Sequence, residues 1–121
     1  MSDTLEQEIV ACGANVAPRI TPADVEANIV DEYYFTALDG ASCGKGLLSS
    51  VNASLGLLTF CVLVSRNGFT FTGESACASP ENFNAEIGRK IARQNAVDKM
   101  WSPMGYALKE RLSKQGVSIY D

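Results

Sequence analysis

The sequence predicts an α+β fold: a small antiparallel β-sheet with a hairpin, followed by two C-terminal helices. Three observations predict it. Two apolar, strand-prone runs, Leu57 to Arg66 and Phe69 to Ser75, flank Asn67-Gly68, a dipeptide that tolerates the positive φ angles of a tight primed turn. Ile29 to Leu38 carries Tyr33, Tyr34, Phe35 and Thr36, the aromatic and β-branched residues that favour a third strand. Beyond the hairpin, Ser79-Pro80 and Ser102-Pro103 both place a capping hydroxyl before a proline, the signature of a helix start.

Taken in order, residues 1–20 form a polar N-terminal segment with one apolar patch, Ile9-Val10-Ala11, suited to a short helix or an extended arm. Thr21-Pro22-Ala23-Asp24 starts a short helix, with Thr21 as cap and Asp24 and Glu26 favouring its positive end. The first strand follows. Residues 39–56 are rich in Gly, Ser and Ala and read as a flexible loop, long for a compact domain. The second strand, 57–66, is almost continuously apolar, as in a strand buried on both faces. In the third, Phe69 and Phe71 share one face and Thr70 and Thr72 the other.

A helix is expected from Pro80 to about Met100. At about 100° per residue, Phe83, Ile87, Ile91 and Trp101 form an apolar arc. Gly88, Ala92 and Ala96 form an adjoining arc of small residues suited to close approach by a strand or a partner helix. Glu86, Arg89, Lys90 and Arg93 cluster opposite. The last helix runs to about Gln115, with Met104, Leu108 and Leu112 in register and Gly116 as its stop. The whole reads as a single domain, 1–121.

Composition narrows the chemistry. The chain is 46% hydrophobic and 20% charged, enough to build a core. No apolar run reaches a membrane span, and the acidic start, Asp3, Glu6 and Glu8, is unlike a signal peptide, so the expected location is cytoplasmic. The net charge of -4 makes a nucleic acid polymer a poor partner. The charge is uneven: residues 1–60 hold eight acids and two bases, residues 61–121 six acids and eight bases. Anion chemistry therefore belongs to the second half. Histidine is absent, which removes His-based triads and His-containing zinc sites. The four cysteines, Cys12, Cys43, Cys61 and Cys77, make no CxxC pair, and free thiols are expected. No metal, no cofactor and no nucleophile–base couple is expected, so the protein reads as a non-enzyme.

Several residues invite functional roles beside plainer ones. Gly40 to Gly46 resembles a phosphate-binding loop, but its glycine spacing is one residue short and Gly46 replaces the hydroxyl that would meet magnesium. Arg89, Lys90 and Arg93 suit a phosphate-bearing ligand; the plainer role is a solvated face in which Glu86 pairs with Lys90. Asn84 and Asn95 suit a base edge or ribose; the plainer role is a link to strand backbone. Tyr33, Tyr34, Phe69 and Phe71 suit a flat ring; the plainer role is core or sheet-surface packing.

The run from Asn67 to Cys77, then Ser79-Pro80-Glu81-Asn82-Phe83, Glu86 to Ala96 and Lys99-Met100-Trp101, resembles a small accessory-protein family of tailed phages. That family was defined by a coliphage gene-49 product and a Shigella-phage gene-66 product. The likeness covers residues 57–112 and extends to Pro18 to Pro22 and Tyr33-Tyr34. In architecture, a hairpin followed by two helices is also similar to the first type of Thoeris anti-defence protein. These resemblances imply a phage protein of immune evasion, a homo-oligomer in the cytoplasm of an infected bacterial cell. It would bind and sequester a cyclic nucleotide signal without cleaving it. The ligand-binding residues would be Arg89, Arg93, Lys90, Phe69, Phe71, Tyr34, Asn84 and Asn95. The competing expectations are an inhibitor acting by direct contact with a host protein, using the acidic N-terminal half, and a hydrolase of the signal.

Overall fold

The computed structural model describes residues 3–11, 13, 17–45 and 51–116. The chain divides into two compact units, one of residues 29–97 and one of residues 1–28 with 98–121.

The unit 29–97 is built on a three-stranded antiparallel sheet in the order β1-β2-β3: β1 Ile29–Thr36, β2 Leu58–Ser65 and β3 Thr70–Ala76. The strands follow one another in space as they do in the chain. Ser65 and Phe69 close the hairpin through Ser65 N–H donating to Phe69 O at 2.9 Å, and Gly68 N–H donates to Ser65 O at 2.9 Å. Within this loop Gly68 alone is left-handed, at φ 86°, and Asn67 keeps a negative φ. The primed two-residue turn expected at Asn67-Gly68 is therefore a three-residue loop with glycine at the one position that needs it. Asn67 Oδ1 holds the loop by accepting from Ser65 Oγ at 2.7 Å and Phe69 N at 3.1 Å.

β2 alternates strictly between buried and half-buried residues. Thr59, Cys61, Leu63 and Ser65 are buried, and the register places Tyr34 and Gly73 on either side of Cys61. That face is covered. The other, carrying Leu58, Phe60, Val62 and Val64, is half-exposed, so β2 is sealed on one face and not on both.

α4, Ala85–Asp98, crosses the covered face. It does so on its small residues: a Cβ on Gly73 would fall 2.1 Å from Ala92 O, and one on Gly88 would fall 3.2 Å from Thr59 Oγ1. Gly88, Ala92 and Ala96 are buried as the small-residue arc predicts, whereas Ile87 and Ile91 stand 55% and 47% exposed. The apolar arc thus looks outward. Size decides the phase, because a backbone this close to the sheet leaves no room for a branched side chain. The helix also starts later than Ser79-Pro80 suggests. Pro80–Asn82 is a single 3-10 turn, Ser79 makes no side-chain cap, and Asn84 Oδ1 caps the helix by accepting from Ile87 N at 3.1 Å.

Where it is described, the loop expected at 39–56 is largely helical. α3, Ala37–Lys45, begins directly after β1 on a reciprocal cap: Asp39 N–H donates to Thr36 Oγ1 at 3.2 Å and Thr36 N–H to Asp39 Oδ2 at 2.9 Å. A 3-10 turn at Ala53–Leu57 leads into β2. Residues 46–50 lie outside the described residues.

Among the described residues, the unit 1–28 with 98–121 holds three helices: α1 Asp3–Ala11, α2 Pro22–Ala27 and α5 Trp101–Lys114. The polar N-terminal segment is thus helical in its first part. Arg19 pairs with Glu6, and α2 has the full capping box expected of Thr21 and Asp24.

Candidate functional site

Side chains occupy outward main-chain groups at both edges of the sheet. Ladder alternation turns the main-chain groups of Glu74 away from β2, and the Glu74 carbonyl accepts from Asn95 Nδ2 at 2.9 Å. On β1 the outward N–H groups of Glu32 and Thr36 donate to Asp31 Oδ1 at 3.2 Å and Asp39 Oδ2 at 2.9 Å. Asn95 therefore performs its plainer role, a link to strand backbone.

The covered face carries a polar cluster at its β1 side. Glu32 accepts from Tyr34 Oη at 2.7 Å and from Arg93 Nε at 3.3 Å. The phenol's hydrogen bond and then the guanidinium hold the Glu32 carboxyl below its ordinary range. Burial, then the bond to Glu32, pushes the Tyr34 phenol well above its own. Burial also raises the thiol of Cys61, which is fully enclosed. Neither is an activated nucleophile at neutral pH.

Beside this cluster lies a cleft of about 140 Å³ lined by Tyr34, Thr36, Asp39, Thr59, Phe83 and Arg89, among others. Arg89 makes no hydrogen bond or ion pair among the described residues. Phe35 also borders it, but its ring belongs to the opposite face, 5.7 Å from that of Phe60. On the other flank of α4, a cleft of about 170 Å³ is lined by Asn84, Ile87, Ile91, Phe83, Ser75 and Cys77, among others.

Of the eight residues expected to bind a ligand, the structure brings Arg89 and Tyr34 to one cleft. Arg93 is engaged by Glu32. Lys90 meets Glu86 at 3.5 Å, with both side chains largely exposed, the plainer role foreseen for it. Asn84 caps α4 and borders the second cleft. Phe71 is buried and packs edge-on to Phe69, centroids 5.2 Å apart, while Phe69 stands 61% exposed beside the hairpin loop. Sequence reasoning missed Glu32, Asp39 and Phe83. Two spacings carried the signal: Glu32 and Tyr34 alternate onto one strand face, and Thr36-x-x-Asp39 is a capping box.

Among the described residues no group of three His, Cys, Asp or Glu side chains is placed to hold a metal ion, and no helix is long and apolar enough to cross a membrane. A three-stranded meander crossed by one helix on small residues, with a basic flank over its first strand, makes this a small α+β protein. The family is a phage one: the model of the phage protein family described as N4 Gp49/phage Sf6 gene 66 matches residues 20–112, and the chain belongs to that family. No curated protein and no solved structure matches the chain.

Proposed function

We propose that this phage protein is a non-catalytic binding protein that takes up a nucleotide-derived immune signal in the cytoplasm of the infected cell and holds it without cleavage. The observation that carries this reading is Arg89. Its guanidinium has no partner among the described residues and borders a cleft that also presents Tyr34 and Phe83. A forked cation suits phosphate oxygens, and an aromatic face suits a base. The cleft, at about 140 Å³, is smaller than the roughly 300 Å³ at which ligand pockets begin. It therefore grips one phosphate and one ring edge, and a second copy of the chain supplies the remaining cover.

The test is thermal shift against a panel of cyclic di- and trinucleotides and cyclic ADP-ribose isomers, with recovery of the ligand after heating. A ligand that stabilises the protein and is released intact supports the proposal. A chemically altered ligand means an enzyme, and no shift with any member sinks the reading. Arg89→Ala should weaken binding by about 1.5–3 kcal/mol, the scale of a charged hydrogen bond, with the melting temperature of the free protein unchanged. Arg93→Ala should lower that melting temperature instead, because it strips Glu32 of its cation.

A further inference from the structure

The sheet face opposite α4 combines three properties. Its centre is a continuous apolar ridge, Leu58, Phe60, Val62 and Val64, each half-buried. Tyr33 and Phe35, on the same face of β1, stand 53% and 41% exposed. Its acids sit at opposite corners: Asp31 lies across from Val64 on one edge strand, and Glu74 across from Phe60 on the other. None of the three strands contains a lysine or arginine.

We infer that this face docks an amphipathic basic helix of a partner protein. Strand addition is disfavoured because Asn95, Asp31 and Asp39 occupy outward main-chain groups at both edges. The occupant therefore lies across the face. Three strands about 4.8 Å apart span roughly 10 Å, the width of one α-helix. An apolar stripe on that helix covers the β2 ridge between Tyr33 and Phe35 on one side and Thr72 on the other. Basic residues on its two flanks reach Asp31 and Glu74. A second copy presenting the same face would bring acids against acids with no base among the strands to answer them. Arg89 lies on the α4 side, and of this face's residues Phe35 also borders its cleft.

The test uses the full chain, isotope-labelled, with two synthetic helical peptides of about 14 residues. One carries leucine along one face and lysine elsewhere; the other has glutamate in place of lysine. The expected result is that the lysine peptide shifts the signals of Tyr33, Phe35 and Val62 and leaves Arg89 and Ile91 unmoved, while the glutamate peptide shifts none. Asp31→Asn combined with Glu74→Gln, both exposed, should weaken binding by about fivefold and flatten its salt dependence. Val62→Lys should abolish it. If that variant does not fold, Tyr33→Ala serves in its place, with a smaller loss. Equal binding of both peptides, or shifts centred on α4 or α5, would overturn the inference. So would undiminished binding by the acid-free variant, or concentration-dependent shifts at Tyr33 and Phe35 without peptide.

Discussion

A Cβ on Gly73 would lie 2.1 Å from Ala92 O and 2.4 Å from Ala96 N, both backbone atoms of the crossing helix. No rotamer relieves that overlap; α4 itself must lift. Gly73→Ala should therefore cost at least about 3 kcal/mol in urea unfolding, the upper range of overpacking. Gly105, within α5 with nothing within 4 Å of its would-be Cβ, is the contrast. Gly105→Ala should stabilise by up to about 1 kcal/mol, the helix-propensity difference. The Glu32 cluster sets a pH dependence. The folded carboxyl is held below its unfolded value, first by Tyr34 and then by Arg93, so its contribution is complete above the ordinary glutamate range. It is lost as pH falls through the depressed folded value. The contribution is at most about 1 kcal/mol, because Glu32 is 40% exposed. Urea midpoints should fall less between neutral and acid pH in Tyr34→Phe than in the parent. An unchanged slope would mean that Tyr34 does not stabilise the ionised Glu32 carboxylate.

At the scale of elements, α4 separates two kinds of apolar residue. Its small residues meet the sheet and its isoleucines meet solvent. Such an outward patch usually marks an interface, and a homodimer or larger closed oligomer is the expected assembly. Replacing Ile87 and Ile91 together by lysine should change stability by less than about 0.5 kcal/mol per site, since both are exposed, yet convert the assembly to a 12.9 kDa species in light scattering. A parent protein already monomeric at micromolar concentration would refute this. The strands and the small-residue face were legible because alternation and residue volume are local signals. The helix at Ala37–Lys45 was not, because Gly40, Ser42 and Gly44 dilute its propensity and the reciprocal cap of Thr36 and Asp39 carries its start. The candidate site was only half legible. Charge spacing marked Arg89 and Arg93 as equivalent, but the strand facing them offers Glu32 to one and not to the other.

For the whole molecule, the excess of acid in the first sixty residues and of base in the second half is drawn together by the sheet. β1 brings Glu32 beneath Arg93, so part of the basic helix face is neutralised within the fold. What stays open is divided between opposite faces of one sheet, a cleft presenting Arg89 and Asp39 on the α4 side and an apolar face with acidic corners on the other. The strand order has a further result, in time rather than space. β2 and β3 are joined by four residues, so their pairing closes a short loop and is expected within microseconds, whereas β1 must wait for the 21-residue connection to fold back. Gly68→Ala strains the left-handed position of that loop and should slow refolding in stopped-flow mixing. Tyr33→Ala, in the late-arriving strand, should leave the refolding rate nearly unchanged and hasten unfolding. The hairpin would then be the part of the nascent chain that organises first, and the crossing helix the part that locks it.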